Sequence, residues 1–213
     1  MVRYAFYISG NATRFHKFLN QSTLEQRKSI SLVFSDDEKT SYLRDVLTEN
    51  DIEYCLYNYN CVEEKKNLAL SNALLEQLNE YKIDYMFSFG AHILRGDILM
   101  EYQNRLINFH PSVLPMYPGK SAIDQAINAQ KALLIGNTAH FMDEGIDTGS
   151  VIMQSVMTVE RFYNGGYDAV MDVQVEMLNK LMKVIDEGRL KLVSNRPVIE
   201  AADYMTYHFF PSV

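Results

Sequence analysis

Hydrophobic and polar positions along this chain follow two periods that take turns. Short apolar runs over residues 2–9, 29–34, 52–57 and 83–89, and a fifth ending in Asn108-Phe109-His110, read as strands. Between them apolar residues recur at helical spacing: Phe15, Phe18 and Leu19 after the first run, a capped stretch over 38–49, then Leu68, Leu70, Leu74, Leu75 and Leu78 in a helix over 62–81. Ser35-Asp36-Asp37 supplies the polar cap for the second of these. The run over 83–89 is apolar nearly throughout, the pattern of a strand covered on both faces. A short helix is expected over 96–102. Strands alternating with helices predict an α/β fold, a doubly wound and mostly parallel sheet. In such sheets ligands gather outside the carboxyl ends of the strands. Gly10, Gly90 and the Asn108–His110 pair all fall at those ends.

The second half continues with a helix over 121–129 and strands over 132–142 and 151–159, joined by an acidic, glycine-containing loop. A long helix over 166–188 carries Val170, Val173, Met177, Leu178, Leu181 and Ile185 on its buried stripe. Residues 190–213 hold Tyr204, Tyr207, Phe209 and Phe210 but are too few for a second domain. The expected organisation is one domain over 1–189, with a tail over 190–213 that packs on the core or on the partner of a homodimer.

Composition narrows the function classes. A 47% hydrophobic and 22% charged chain is ordinary for a soluble globular protein. A formal charge of −7 argues against nucleic acid as the main partner, since phosphate backbones demand a basic surface. No apolar run has the length of a membrane span, and the first residues read as a strand followed at once by a turn. The chain is therefore expected in the cytoplasm, with no membrane partner. Cys55 and Cys61 match no metal or redox spacing and are expected as reduced thiols.

The candidate chemistry centres on 106–119, Leu-Ile-Asn-Phe-His-Pro-Ser-Val-Leu-Pro-Met-Tyr-Pro-Gly. Two residues apart on a strand, Asn108 and His110 point to one face, and the prolines that follow forbid a helix. An amide N–H can hold a developing oxyanion, and an imidazole can relay a proton near neutral pH. Asp147, in the turn begun by Asp143-Glu144-Gly145, is placed to orient His110. No Ser or Cys sits in a nucleophile elbow, and no H-E-x-x-H zinc pattern occurs, so no metal site is expected. Direct attack of a substrate group on an activated carbonyl is the chemistry left. Gly10, Asn11, Ala12 and Thr13 form a strand-to-helix turn compatible with an anion, as many such turns are.

Asn108-x-His110-Pro111-Ser112-x-Leu114-Pro115 with Tyr117 and Gly119, followed by His140-Phe141-x-Asp143-Glu144-Gly145-x-Asp147-x-Gly149, resembles the folate-dependent formyltransferase family. The resemblance runs from Val2 to about Gly188. It implies a Rossmann-like fold and N10-formyltetrahydrofolate as formyl donor. It implies further that Asn108 and His110 stabilise a tetrahedral intermediate while Asp147 holds His110 and helps remove the amine's proton. The folate would lie against His92, Ile93 and Leu94, and against His140, Asp143, Glu144, Gly145 and Ile146. The acceptor would meet Gly10, Asn11, Ala12 and Thr13.

Two departures bear on the acceptor. The purine branch, phosphoribosylglycinamide formyltransferase, reads Ser-Gly-Asn-Gly-Ser-Asn in its first loop, where this chain has Ser9-Gly10-Asn11-Ala12-Thr13-Arg14. Lys120-Ser121-Ala122-Ile123 replaces a histidine-bearing segment of that branch. The transfer-RNA branch expects a basic RNA-binding domain that this acidic chain lacks. The aromatic segment over 204–211 is more similar to the sugar-nucleotide branch. The expectation is an amino sugar linked to a nucleotide as acceptor, with the purine substrate as the alternative. A protein that binds folate or nucleotide without turnover is the third reading.

Overall fold

The computed structural model describes residues 1–62, 64–128, 133–205 and 209–210. The chain forms two compact units, residues 1–107 and 108–213.

In the first unit β1 (Tyr4–Ile8), α1 (Thr13–Gln21), α2 (Leu24–Ser29), β2 (Ile30–Ser35), α3 (Arg44–Glu49), β3 (Glu53–Leu56), α4 (Lys66–Glu80), β4 (Tyr85–Phe89) and α5 (Asp97–Glu101) follow in order. The strands lie side by side as β4-β1-β2-β3, and each neighbouring pair is parallel. The central strand β1 has no exposed residue, which is why its sequence does not alternate. Phe6 packs its ring against Phe15, Phe18, Phe87 and Phe89, so α1 and β4 close on the same core.

Three local features depart from the sequence pattern. Helix α2 has no apolar stripe and buries only Ser29; a reciprocal cap starts it, Thr23 accepting from Gln26 N while Gln26 accepts from Thr23 N. The stretch over 38–49 begins as a 3₁₀ turn, Glu38–Leu43, and becomes α-helical only at Arg44. The helix expected from Val62 starts at Lys66, behind a 3₁₀ turn at Tyr59–Cys61 and a left-handed Lys65.

Strand β5 (Leu106–His110) carries the chain from the first unit into the second. There α6 (Ala122–Asn128), β6 (Leu134–Phe141), β7 (Val151–Thr158), α7 (Val159–Asp186), β8 (Leu190–Val193), β9 (Arg196–Ile199) and β10 (Phe209–Phe210) follow. β6 and β7 are antiparallel, with a register shift between Ala139 and His140. Helix α7 begins earlier than the expected 166: Thr158 caps it by accepting from Arg161 N, and Gly166 at φ 59° marks a kink inside it.

The tail is more ordered than its composition suggests. β8 and β9 pair antiparallel around left-handed Ser194 and Asn195, and β10 pairs antiparallel with β7. Tyr204 accepts the Ile199 N–H through its hydroxyl at 2.9 Å. Ala129, Ala132 and Tyr207 of the expected elements lie outside the described residues, and Phe209 and Phe210 are described only as a strand. The α/β class and the mostly parallel strands follow the pattern read from the sequence. Both cysteines are free. Among the described residues, no helix is long and apolar enough to cross a membrane.

Candidate active site

β5 ends in Asn108 and His110, which share a face because they are two residues apart. The loop between β6 and β7 returns Asp147 to that face in a left-handed conformation, φ 55°. Asp147 Oδ2 lies 3.1 Å from His110 Nδ1 and accepts the Gly119 N–H at 2.8 Å. Its other oxygen, Oδ1, lies 3.4 Å from Asn108 Nδ2 and 3.5 Å from His140 Nε2. Asn108, His110 and His140, all singled out from sequence, therefore surround the carboxylate of Asp147. His110 and His140 are buried, while Asn108 and Asp147 are half-buried, so the cluster meets solvent at the amide and the acid.

The hydrogen-bond partners constrain the protons. His110 Nε2 is 2.7 Å from the Tyr117 carbonyl, which can only accept, and Nδ1 faces the Asp147 carboxylate. A proton on Nε2 serves the Tyr117 carbonyl, and a proton on Nδ1 would serve the carboxylate. His140 Nδ1 is 2.8 Å from the Phe141 carbonyl and must carry a proton there. Its Nε2 then lies between a donor, Asn108 Nδ2 at 3.3 Å, and the Asp147 acceptor. Burial alone would raise the Asp147 carboxyl. The hydrogen bonds from His140 and the Gly119 N–H, with the charges of His110 and His140, outweigh it and hold the group below the ordinary carboxylate range.

The loop bearing Asp147 is tightly built. Asp143 Oδ1 accepts from Gly145 N at 3.1 Å and from Thr148 Oγ1 at 2.7 Å. A Cβ on Gly145 would fall 1.8 Å from Thr148 Oγ1, and one on Gly149 would fall 1.7 Å from the Phe141 carbonyl oxygen. Glycine at these two places is a steric requirement. Glu144 is exposed, and Ile146 presents 51% of its surface.

The remaining candidates belong to the first unit. Gly10 and Ala12 are both left-handed in the turn after β1; Asn11 and Thr13 are exposed. Thr13 opens α1, whose first turn has no acidic residue and no side-chain cap. Arg14 is half-buried with its guanidinium 4.7 Å from the Phe89 ring centroid, and burial lowers its pKa to about 10. After β4, His92 stacks on Tyr59 at 3.6 Å, Ile93 is 37% exposed, and the Leu94 side chain is buried. His92 Nδ1 lies 2.7 Å from Asp36 Oδ2, which also accepts from the Tyr7 hydroxyl. Burial and the Asp36 charge push the Tyr7 phenol well above its usual range. Asp36, read from sequence as part of a helix cap, is thus a buried anchor for the loop after β4; Asp37 is the cap, accepting from Lys39 N. No linear motif signals that role, since Tyr7, Asp36 and His92 come from three separate strand ends. Among the described residues, no group of three or more His, Cys, Asp or Glu side chains is arranged to hold a metal ion.

An α/β chain that gathers a strand-end amide, two imidazoles and a low-pKa carboxylate, with no Ser or Cys among them, has the groups to move a proton and to stabilise charge on a substrate. A formyl transferase family model matches residues 2–179, and the chain belongs to that folate-dependent family. The family's formyl donor is N10-formyltetrahydrofolate. A phosphoribosylglycinamide formyltransferase of Bacillus subtilis is 29% identical over 75% of this chain and 81% of its own length. A formyltetrahydrofolate deformylase of Haemophilus influenzae is also 29% identical, over 74% of this chain, which spans 56% of that protein. The crystal structure of glycinamide ribonucleotide transformylase 1 from Symbiobacterium toebii superposes with a TM-score of 0.78 at 26% identity, covering 93% of this chain and 94% of the other.

Proposed function

We propose that this chain transfers the formyl group of N10-formyltetrahydrofolate to the primary amine of glycinamide ribonucleotide. The observation that carries the reading is the gathering of Asn108, His110 and His140 around Asp147 in a member of the formyl transferase family.

The co-substrate supplies a formyl carbonyl open to attack by an amine. As the amine adds, charge develops on the formyl oxygen, and the Asn108 amide donates to it. The His110 imidazolium places a positive charge beside the same point. Direct donation from His110 requires its ring to release the Tyr117 carbonyl, a bond within one local turn. Asp147 keeps His110 oriented and charged, and receives the proton that the attacking amine must lose. The carbon–nitrogen bond to the acceptor forms, the bond to N10 of the folate breaks, and that proton passes to the departing nitrogen.

The residues proposed for the folate suit a flat, hydrogen-bonding ring in kind. Ile93 and Ile146 present aliphatic surface, Leu94 has only its backbone to offer, and the loop 143–147 is pinned by Asp143. The turn Gly10–Asn11–Ala12–Thr13 is the proposed seat of the acceptor's phosphate, where main-chain N–H groups open α1 without an acidic neighbour.

The acceptor expected from sequence, an amino sugar on a nucleotide, gives way here. The relatives described above are named for glycinamide ribonucleotide and formyltetrahydrofolate, and the first covers most of both chains. Of the aromatic tail that favoured the sugar nucleotide, Tyr204 is bonded to β9. A cytoplasmic homodimer goes with the proposed reading, and light scattering on the purified chain tests the dimer.

The deciding experiment follows tetrahydrofolate release from N10-formyltetrahydrofolate with glycinamide ribonucleotide, with a panel of amino-sugar nucleotides, and with no amine. Turnover that depends on glycinamide ribonucleotide is expected. Turnover only with an amino-sugar nucleotide, or equal release without any amine, overturns the reading.

A further inference from the structure

One turn fixes both members of the His110–Asp147 pair: the Tyr117 carbonyl holds His110 Nε2 at 2.7 Å, and the Gly119 N–H holds Asp147 Oδ2 at 2.8 Å. Two side chains outside the turn hold the turn itself. Thr138 on β6 and Gln154 on β7 are register partners in the antiparallel ladder. Thr138 Oγ1 donates to the Ser112 carbonyl at 2.7 Å and accepts from Leu114 N and Gln154 Nε2, each at 3.0 Å. A hydroxyl has one donor and two acceptor sites, so this one is filled. Gln154 Nε2 gives its other hydrogen to the Leu114 carbonyl at 2.8 Å. Both the N–H and the carbonyl of Leu114 are therefore clamped. Within the turn, Met116 N donates to Val113 O at 3.0 Å and Ser112 Oγ to Met116 O at 2.5 Å, which carries the restraint to the residue before Tyr117.

We propose that Gln154 is a positioning residue for the reaction: its carboxamide, working with the Thr138 hydroxyl, locks the Leu114 peptide and so sets the Tyr117 carbonyl and Gly119 N–H that aim His110 and Asp147. The proposal rests on the catalytic reading of His110 and Asp147 given above. Among the described residues Gln154 hydrogen-bonds to Leu114 and Thr138 and to none of the four clustered side chains, so it acts through the turn.

The test is steady-state kinetics with N10-formyltetrahydrofolate and glycinamide ribonucleotide on Gln154→Met, Thr138→Val, Thr138→Ser and His110→Ala, with thermal melts of each. Methionine keeps the length of glutamine but has no donor. Displacing reacting groups by about an ångström costs up to about a hundredfold. Gln154→Met and Thr138→Val are therefore each expected to lower kcat by about 10- to 100-fold, with KM for both substrates within about twofold. Thr138→Ser, which keeps the hydroxyl, should restore kcat. Their double variant should lose little more than the worse single one. Wild-type kcat in Gln154→Met beside an inactive His110→Ala overturns the positioning role and leaves the catalytic reading standing. So does a Gln154→Met loss fully explained by a smaller folded fraction. Wild-type kcat in His110→Ala overturns both. Should Gln154→Met not fold, the Thr138 pair decides: a kcat loss in valine that serine recovers supports the clamp, and equal kcat in the two overturns it.

Discussion

Asp147 meets His110 with Oδ2 3.1 Å from Nδ1, and the same oxygen accepts the main-chain N–H of Gly119 at 2.8 Å. One carboxylate oxygen thus joins the end of β5, the proline-rich turn and the loop between β6 and β7. On the proposed reading chemistry and architecture share this atom, so disturbing either is expected to disturb the other.

Replacing Asn108 by alanine removes the side-chain amide donor of the cluster. Loss of a single oxyanion donor typically costs about 10²–10³ in kcat. That fall is expected here with little change in the melting temperature, because Asn108 is only half-buried. Wild-type kcat in the variant would take Asn108 out of the chemistry.

His110→Ala and Asp147→Asn are each expected to damage turnover while equilibrium binding of the folate stays largely intact. Groups that act as a unit are lost together, so the double variant should be scarcely worse than either single one. Fully additive losses would mean that the two residues act independently.

The depressed pKa of Asp147 carries a sign. Its folded-state value lies below the unfolded one, so the stability it contributes is complete above the ordinary carboxylate range and is lost as pH falls through the depressed value. Urea midpoints of wild type and Asp147→Asn should keep their full difference from neutral pH down to the ordinary carboxylate range, and converge only as pH falls further, through the depressed value. A difference that does not vary with pH would show that the charge of Asp147 has no part in stability.

Gly149→Ala would drive a Cβ to 1.7 Å from the Phe141 carbonyl oxygen, a backbone atom that cannot swing aside. The loop must shift, with a loss of about 1–3 kcal/mol. Because the shifted loop carries Asp147, kcat should fall as well, and denaturant unfolding beside kinetics reads both. An alanine variant of full stability and activity would mean that the loop yields freely.

Asp36→Ala strips the shared acceptor from the Tyr7 hydroxyl and from His92 Nδ1. Leaving such donors unpaired costs about 1–3 kcal/mol. If His92, Ile93 and Leu94 line the folate, KM for N10-formyltetrahydrofolate should rise while kcat stays within about twofold. An unchanged KM would separate this loop from folate binding.

Much of the molecule could be read from residue order because it rests on near-neighbour chemistry. The unbroken apolar runs of β1 and β4 mark strands without a wet face, and the leucines of α4 recur at its own pitch. Asn108, His110 and Asp147 were visible for a similar reason. Two lie on one strand face, the third in a glycine loop, and their motifs are contiguous. Helix α2 escaped because a capping box, with no apolar stripe, holds it at its start. The kink at Gly166 left the first turns of α7 looking like a loop.

What residue order left undecided depends on which distant atoms meet. Nothing local distinguishes Asp36 from Asp37, yet one is a buried anchor for Tyr7 and His92 and the other caps a turn at the surface. Thr138 and Gln154 are ordinary strand residues until the register of β6 and β7 sets them opposite each other under Leu114. The sequence by itself determined the alternation of strands and helices and the candidate groups at the end of β5 and in the loop after β6, since those follow from periodicity and functional-group chemistry. The direction of each hydrogen bond, the protons those bonds hold in place, and the clamp beneath the turn were decided only by tertiary structure, because each depends on a separation of about 3 Å between residues far apart in the chain.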